Sequence, residues 1–246
     1  MRPVVIIPTY NEIDALPSTL DRVRKDLPEI DMLVVDDNSP DGTGDYADQR
    51  AEADDRISVL HRPGKGGLAA AYIAGFGWAL EHGFTHLVQM DADGSHRAHD
   101  LVTMLERAAQ SDEPDLVIGS RWVPGGGVVN WPMSRQLLSR LGNLYNRVAL
   151  GLPYTDITAG FRVYRADTLA RIDLSEVAIV GYYWQTDMTE RLHRVGAHIV
   201  ESPITFHERE AGQSKLSSSI FFESLAESTR RGFRHRTGQV KRMLTN

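Results

Sequence analysis

The chain of 246 residues contains no cysteine. Disulfide staples and thiolate zinc sites are thereby excluded, and the composition suits a reducing compartment. Long apolar runs are missing as well. Residues 4–7 are far short of the ~20 that a membrane span requires, and later runs are interrupted by charge or glycine. Any membrane role is therefore expected to be peripheral. Nor is there an excess of cations, since 27 Lys and Arg against 33 Asp and Glu leave a net charge of −6. That balance argues against a protein built to coat nucleic acid. Two phosphate-binding signatures are also absent. Lys65 stands among Gly64, Gly66 and Gly67 without the spacing of a P-loop, and the first strand does not lead into a Gly-x-Gly-x-x-Gly turn. ATPase and dehydrogenase readings lose their support.

One run near the end of the sequence is strongly basic. Arg230, Arg231, Arg234, Arg236, Lys241 and Arg242 follow one another with no carboxylate between them. The run reads either as a solvated tail or as a patch for anionic lipid. Trp and Tyr do not interleave with it as base-stacking platforms would. We divide the chain into one unit at 1–228 and a basic tail at 229–246.

What is present is alternation. Residues 4–7, 32–35, 57–60, 86–90 and 116–118 read as strands, and 13–27, 44–53, 67–81 and 98–109 as helices. Pro8 is expected to stop the first strand, and Pro17 lies in a helical first turn, where its missing N–H costs least. The order implies an α/β unit with a mostly parallel sheet flanked by helices. Beyond Arg121, Gly125–Gly127 reads as a turning or mobile loop, 134–150 as a helix, 161–164 as a strand, 184–195 as a helix and 198–200 as a strand. The stripe Leu137, Leu138, Leu141, Leu144, Tyr145 and Val148 either covers the sheet or, with Trp131 and nearby arginines, faces lipid. Ile220, Phe221, Phe222 and Leu225 form a second apolar patch, for lipid or a dimer contact.

Ligands of such sheets bind beyond the carboxyl ends of the strands. Five predicted strand ends bring polar residues there: Pro8 to Glu12, Asp36 to Ser39, His61 to Gly67, Asp91 to Asp93, and Gly119 to Arg121. In Asp91-Ala92-Asp93 two carboxylates leave a strand close together. They can share a hard divalent cation with a diphosphate, although an isolated Asp-x-Asp also serves as a cap or solvated turn. Asp36 and Asp37 suit ribose or base N–H recognition, or an Asx-turn into the following Asn38-Ser39-Pro40-Asp41-Gly42. Lys65 lies in a basic loop near the rim, able to meet donor phosphate or to support the nucleotide pocket.

These motifs together resemble inverting family-2 glycosyltransferases, and more narrowly the polyprenol (dolichol) phosphate mannosyltransferases. The resemblance is carried by Pro8-Thr9-Tyr10-Asn11-Glu12, Val34 to Thr43, Gly64-Lys65-Gly66-Gly67-Leu68 and Met90-Asp91-Ala92-Asp93. Gly119-Ser120-Arg121, Asp156 to Arg162, and Arg209-x-x-Gly212-x-Ser214-Lys215 narrow it to lipid-phosphate acceptors. It implies a single GT-A unit, GDP-mannose as donor, polyprenyl monophosphate as acceptor and Mg²⁺ or Mn²⁺ as cofactor. Pro8, Tyr10, Glu12, Asp37 and Lys65 would then line the nucleotide side, with Asp91, Ala92 and Asp93 at the donor diphosphate. Ser95 stands where relatives often carry a metal-binding glutamine, which puts the ligand count in doubt. Some relatives append membrane helices, so a separate membrane-anchoring partner is an open expectation, with the enzyme peripheral at the cytoplasmic face of the membrane.

A phosphate monoester acceptor is mostly ionised near neutrality, its second pKa being about 6, so it needs cations and no general base. Arg121, Arg162, Arg209 and Lys215 are the expected cations, because a guanidinium forks onto phosphate and stays charged. Asp156 either orients Arg162 or receives a substrate hydroxyl. The nearest alternative is UDP-glucose or UDP-N-acetylhexosamine transfer to the same acceptor. A glycan hydroxyl acceptor would need a base, for which Asp156 is the best candidate. A nucleotide-sugar sensor is the non-enzyme alternative.

Overall fold

The computed structural model describes residues 1–177, 183–208 and 228–230. Seven strands form one sheet in the order β3-β2-β1-β4-β7-β5-β8. They are β1 (Pro3–Thr9), β2 (Asp31–Asp36), β3 (Ile57–His61), β4 (His86–Gln89), β5 (Leu116–Ser120), β7 (Arg162–Arg165) and β8 (Ile199–Pro203). β7 runs antiparallel to both β4 and β5, while the other neighbours are parallel. The expected α/β architecture is therefore present, with one reversed strand. A separate two-stranded sheet joins β6 (Gly127–Val129) to β9 (Thr205–His207) in parallel.

Pro8 does not stop β1 as its type implied. β1 continues to Thr9, with Pro8 opposite Val35. The reason is positional. Pairing with β4 ends at Ile6, so Pro8 lies where β1 keeps β2 as its only ladder partner, and a missing N–H is tolerated at such an edge.

The sheet is covered on both faces. On one side α1 (Leu16–Asp26) and α4 (Ala98–Ala108) pack Leu16, Leu20, Val23, Leu101 and Met104 against Val5, Ile7 and Val117. On the other, α3 (Leu68–Glu81) and α7 (Tyr183–Arg194) pack Tyr72, Phe76, Trp184 and Met188 against Val4, Ile6, Leu87 and Tyr164. Gly75 lets α3 approach closely, since a Cβ there would meet Ile6 at 2.5 Å. α2 (Thr43–Ala53) completes the first half. A short α6 (Ala166–Leu169) follows β7.

α5 (Met133–Leu150) breaks the pattern. Its buried residues are Gly142, Asn143, Asn146 and Leu150. Its leucine stripe points outward, with Met133 79 %, Leu137 59 %, Leu141 53 % and Val148 64 % exposed. Of the two readings of that stripe, packing on the sheet is overturned. Asn143 is drawn inward by hydrogen bonds that Leu137 and Leu141 could not make. No helix among the described residues is long and apolar enough to cross a membrane.

Candidate active site

The carboxyl ends of β1 and β2 are tied together by short polar side chains. Thr9 Oγ1 donates to Asp36 Oδ1 at 2.9 Å, while the Ser39 amide and hydroxyl donate to Asp36 at 3.0 and 2.6 Å. Asp36 is thus the turn-forming acid of the pair. Ser39, Thr43 and Asp41 in turn accept the amides of Asn11, Glu12 and Ile13. The 38–43 loop therefore clamps the 9–13 loop that carries Tyr10 and Glu12. Burial pushes the Asp41 carboxyl up, but the Thr43 hydroxyl and amide, joined by the Ile13 amide, outweigh it and hold the carboxyl below its ordinary range. Asp37 faces the other way, accepting from Arg62 Nη1 and from the Gly66 amide at 2.9 Å. Lys65 lies over the Tyr10 ring at 4.3 Å. Tyr10, Asp37 and Lys65, all expected on the nucleotide side, do sit together, and Pro8 is buried in β1.

The Asp91-Ala92-Asp93 turn is held from every side. Tyr72 Oη donates to Asp91 Oδ1 at 2.8 Å, and the Asp91 amide donates to His96 Nδ1 at 3.1 Å. Thr19 Oγ1 of α1 donates to the Ala92 carbonyl at 2.8 Å. Gly94 turns the chain at a φ of +75°, a value glycine adopts without penalty, and the Ser95 amide closes on Asp93 Oδ1 at 3.0 Å. Burial, and then the Asp91 and Asp93 carboxylates, push the Tyr72 phenol well above its ordinary value. It therefore remains a proton donor near neutrality.

Whether a cation fits here can be judged from Ser95. Its hydroxyl is buried and has no hydrogen-bond partner among the described residues, a costly state for a polar atom without a ligand. Asp93 and Ser95 are both almost wholly buried, and Asp91 is partly open. Among the described residues no group of three or more His, Cys, Asp or Glu side chains gathers around one point. Two carboxylates and a hydroxyl suit a hard ion whose remaining ligands are phosphate oxygens and water. The donor set fits such an ion.

Arg121 leaves β5 on the same rim. Its backbone N–H and Nε donate to Asp156 Oδ2 at 2.9 and 2.7 Å, and Nη2 donates to Oδ1 at 2.6 Å. Asn143 of α5 adds a donor to Asp156 Oδ1 at 3.1 Å, and Glu201 of β8 accepts the amides of Thr155 and Asp156 at 2.7 and 2.9 Å. Asp156 is fully buried and saturated by these contacts. It orients Arg121, not Arg162, and has no lone pair aimed at a substrate hydroxyl. Trp122, Trp131 and Phe206 surround the guanidinium at 5.6, 5.5 and 5.6 Å. This aromatic wall was not foreseen. It depends on β6 and β9, each only three residues long.

Arg162 lies elsewhere than expected. It is fully buried, donating Nε to the Ala159 carbonyl at 2.8 Å, Nη2 to that of Ile157 at 2.6 Å and Nη1 to Tyr164 Oη at 3.2 Å. Its guanidinium shapes the 156–160 loop from behind and does not face the rim. That loop links the two halves of the site. Asp156 and Thr158 meet Arg121 at one end. At the other, a Cβ added to Gly160 would stand 3.7 Å from Asp91 Oδ2. His96 stacks on Phe161 at 4.6 Å and meets Phe206 edge-on at 5.6 Å, making a second link. Arg209, Lys215, the patch from Ile220 to Leu225 and the basic tail beyond Arg230 lie outside the described residues.

Comparison with known proteins follows the same outline. Residues 4–173 match the family model described as glycosyl transferase family 2. The chain belongs to glycosyl transferase family 2. Among curated family-2 relatives, an undecaprenyl-phosphate mannosyltransferase of Micrococcus luteus is 58% identical over 232 residues, covering 94% of each chain. A polyprenol monophosphomannose synthase of Mycolicibacterium smegmatis is 50% identical over 241 residues, covering 98% of this chain and 90% of that one. The fold recurs in glucosyl-3-phosphoglycerate synthase from Mycobacterium tuberculosis, solved with phosphoglyceric acid, at a TM-score of 0.66 and 16% identity over 92% of this chain and 79% of that one. It recurs again in a mannosyltransferase from Pyrobaculum calidifontis, solved with GDP-Man and Mn²⁺, at 0.58 and 16% identity, covering 93% and 69%. The family-2 unit here is thus the GT-A type of α/β domain.

Proposed function

We propose that this family-2 enzyme transfers mannose from GDP-mannose to the phosphate of a polyprenyl monophosphate, with inversion at the anomeric carbon. The observation that carries the reading is Arg121: a nearly buried guanidinium, aligned by Asp156 and walled by aromatics, on the rim that also presents Asp91 and Asp93. The names of the two curated relatives support the same sugar and acceptor class.

In this reading Tyr10, Glu12 and Asp37 receive the nucleoside, and Lys65 stands by its phosphates. Asp91, Asp93 and Ser95 Oγ would hold Mg²⁺ or Mn²⁺, which supplies neutralisation of the charge growing on the departing diphosphate. Arg121 holds the acceptor phosphate, whose ionised oxygen attacks the anomeric carbon as the bond to the β-phosphate oxygen breaks. The electron pair of that bond leaves with GDP, and no proton has to move. Saturation of Asp156 by Arg121 and Asn143 agrees with this, because a hydroxyl acceptor would require a free carboxylate base. Asn143, Glu201 and Arg162 act as positioning residues behind Arg121 and its loop.

The isoprenoid tail has to be met at a membrane. The exposed leucines of α5, with Arg140 over the Trp122 ring at 4.4 Å, make a surface suited to peripheral docking at the cytoplasmic leaflet. A separate anchoring partner would share that face.

The test is release of GDP from GDP-mannose and Mn²⁺ on addition of polyprenyl phosphate, with UDP-sugars in parallel. Turnover with a UDP-sugar in place of GDP-mannose would replace the donor. Arg121→Lys is the informative variant, since alanine would strand the buried Asp156 charge. It keeps the charge but loses the planar fork. Turnover should fall by roughly 10²-fold while GDP binding holds. Equal losses in both would remove the acceptor role.

A further inference from the structure

We infer that Tyr72 is a positioning residue for the donor site, fixing the Asp91 carboxylate from behind through its Oδ1. The inference rests on the donor-side reading of Asp91 and adds a residue from α3 that none of the recognised motifs contains. Tyr72 lies in the middle of the larger apolar cluster, fully buried and stacked on Trp184 with ring centroids 5.3 Å apart. Phenylalanine would fill that space equally well. A buried hydroxyl is costly unless it is hydrogen-bonded, and here its partner is Asp91 Oδ1 at 2.8 Å.

The geometry around Asp91 gives that bond a purpose. The backbone amide is held by His96, and the next carbonyl by Thr19, so the main chain of the turn cannot rotate. The phenol engages Oδ1, and Oδ2 lies toward Gly160, 3.7 Å from where a Cβ on that glycine would stand. The buried amides of Gln185 and Gln89 lie beside the same point, at 3.6 and 3.8 Å, so polar groups surround this part of the turn. Loss of a partner behind a metal ligand typically costs about 10- to 100-fold in metal affinity.

Tyr72→Phe tests this. Mn²⁺ binding in the presence of GDP, followed by the loss of the free-ion paramagnetic resonance signal, should weaken by about 10- to 100-fold. GDP binding without metal and the metal-free thermal midpoint should stay near the wild-type values. In an Asp91→Asn background the same change should cost nothing further in Mn²⁺ affinity, since Tyr72 acts through that carboxylate. A Tyr72→Phe protein with a lowered midpoint but a Mn²⁺ titration within twofold of wild type overturns the inference and makes Tyr72 a core residue only. Additive losses in the double variant also overturn it. Wild-type protein that takes up no Mn²⁺ with GDP would remove the donor-site reading itself, a result distinguishable from both.

Discussion

Helices α4 and α5 are both amphipathic, yet they turn their apolar faces in opposite directions. α4 buries Leu101 and Met104 completely against the sheet, as a surface helix of a globular domain should. α5 buries Asn143 and Asn146 and leaves Met133, Leu137, Leu141 and Val148 in contact with solvent. The difference teaches what each helix is for. One holds the fold together. The other binds Asp156 and Thr158 through Asn143 on its inner face and presents an apolar surface on its outer one. The contrast can be broken most strongly at its first half. Leu101→Ala should cost about 2–5 kcal/mol, the range for emptying a core leucine site. Leu141→Ala on α5 should cost no more than about 0.5 kcal/mol, as expected of an exposed position. Paired thermal melts measure both, and equal losses would mean that α5 packs its leucines after all.

The inner face of α5 comes next in size. Asn143 Nδ2 reaches the Ser139 carbonyl, Asp156 Oδ1 and Thr158 Oγ1, all at 3.1 Å, and its Oδ1 accepts the Thr158 amide at 3.2 Å. Asn143→Leu would give α5 the ordinary apolar inner face that its sequence lacks. Stability should nonetheless fall, by about 1–3 kcal/mol, because the Thr158 amide and part of Asp156 lose their partners. Turnover should fall further than stability accounts for, since Asp156 is what aims Arg121. Chemical denaturation and a turnover assay at full folding separate the two effects. A more stable protein with intact turnover would show that the polar face has no positioning role.

The same contrast marks what the sequence could and could not disclose. Periodicity placed a helix at 134–150 with its leucines on one stripe, and α5 has that stripe. Periodicity cannot say which side of the stripe faces inward. That is decided by Asp156 and Thr158, which reach Asn143 only once the chain is folded. Arg162 is a similar case. Its motif located it beside the acceptor loop, while its guanidinium turns toward the carbonyls of Ile157 and Ala159 and away from the rim. β6 and β9 were missed because three residues cannot display an alternating pattern, and with them went the aromatic wall of Trp131 and Phe206. The alternating strands and helices and the acid-bearing strand ends were legible. Each of those follows from local pattern or from the rule that parallel strands deliver their carboxyl ends to one side.

The smallest effect on the fold, and the sharpest on function, is expected from the outer face of α5. Replacing Leu137, Leu141 and Leu144 together by glutamine removes apolar groups that solvent already reaches, so the thermal midpoint should barely move. If the face docks on lipid, each leucine lost forfeits part of the roughly 1.5–3 kcal/mol that a fully buried side chain of this size contributes. Co-flotation with anionic vesicles should then drop by at least about tenfold. Arg135 and Arg140 flank the stripe, so wild-type flotation should also weaken with salt, whereas the apolar contribution should persist. Turnover on a short, water-soluble polyprenyl phosphate should be nearly unaffected, because the Arg121 site is untouched. A triple variant that still floats with vesicles would remove the membrane role of this face. A triple variant that instead converts a dimer to a monomer in sedimentation would assign the face to a second copy of the chain.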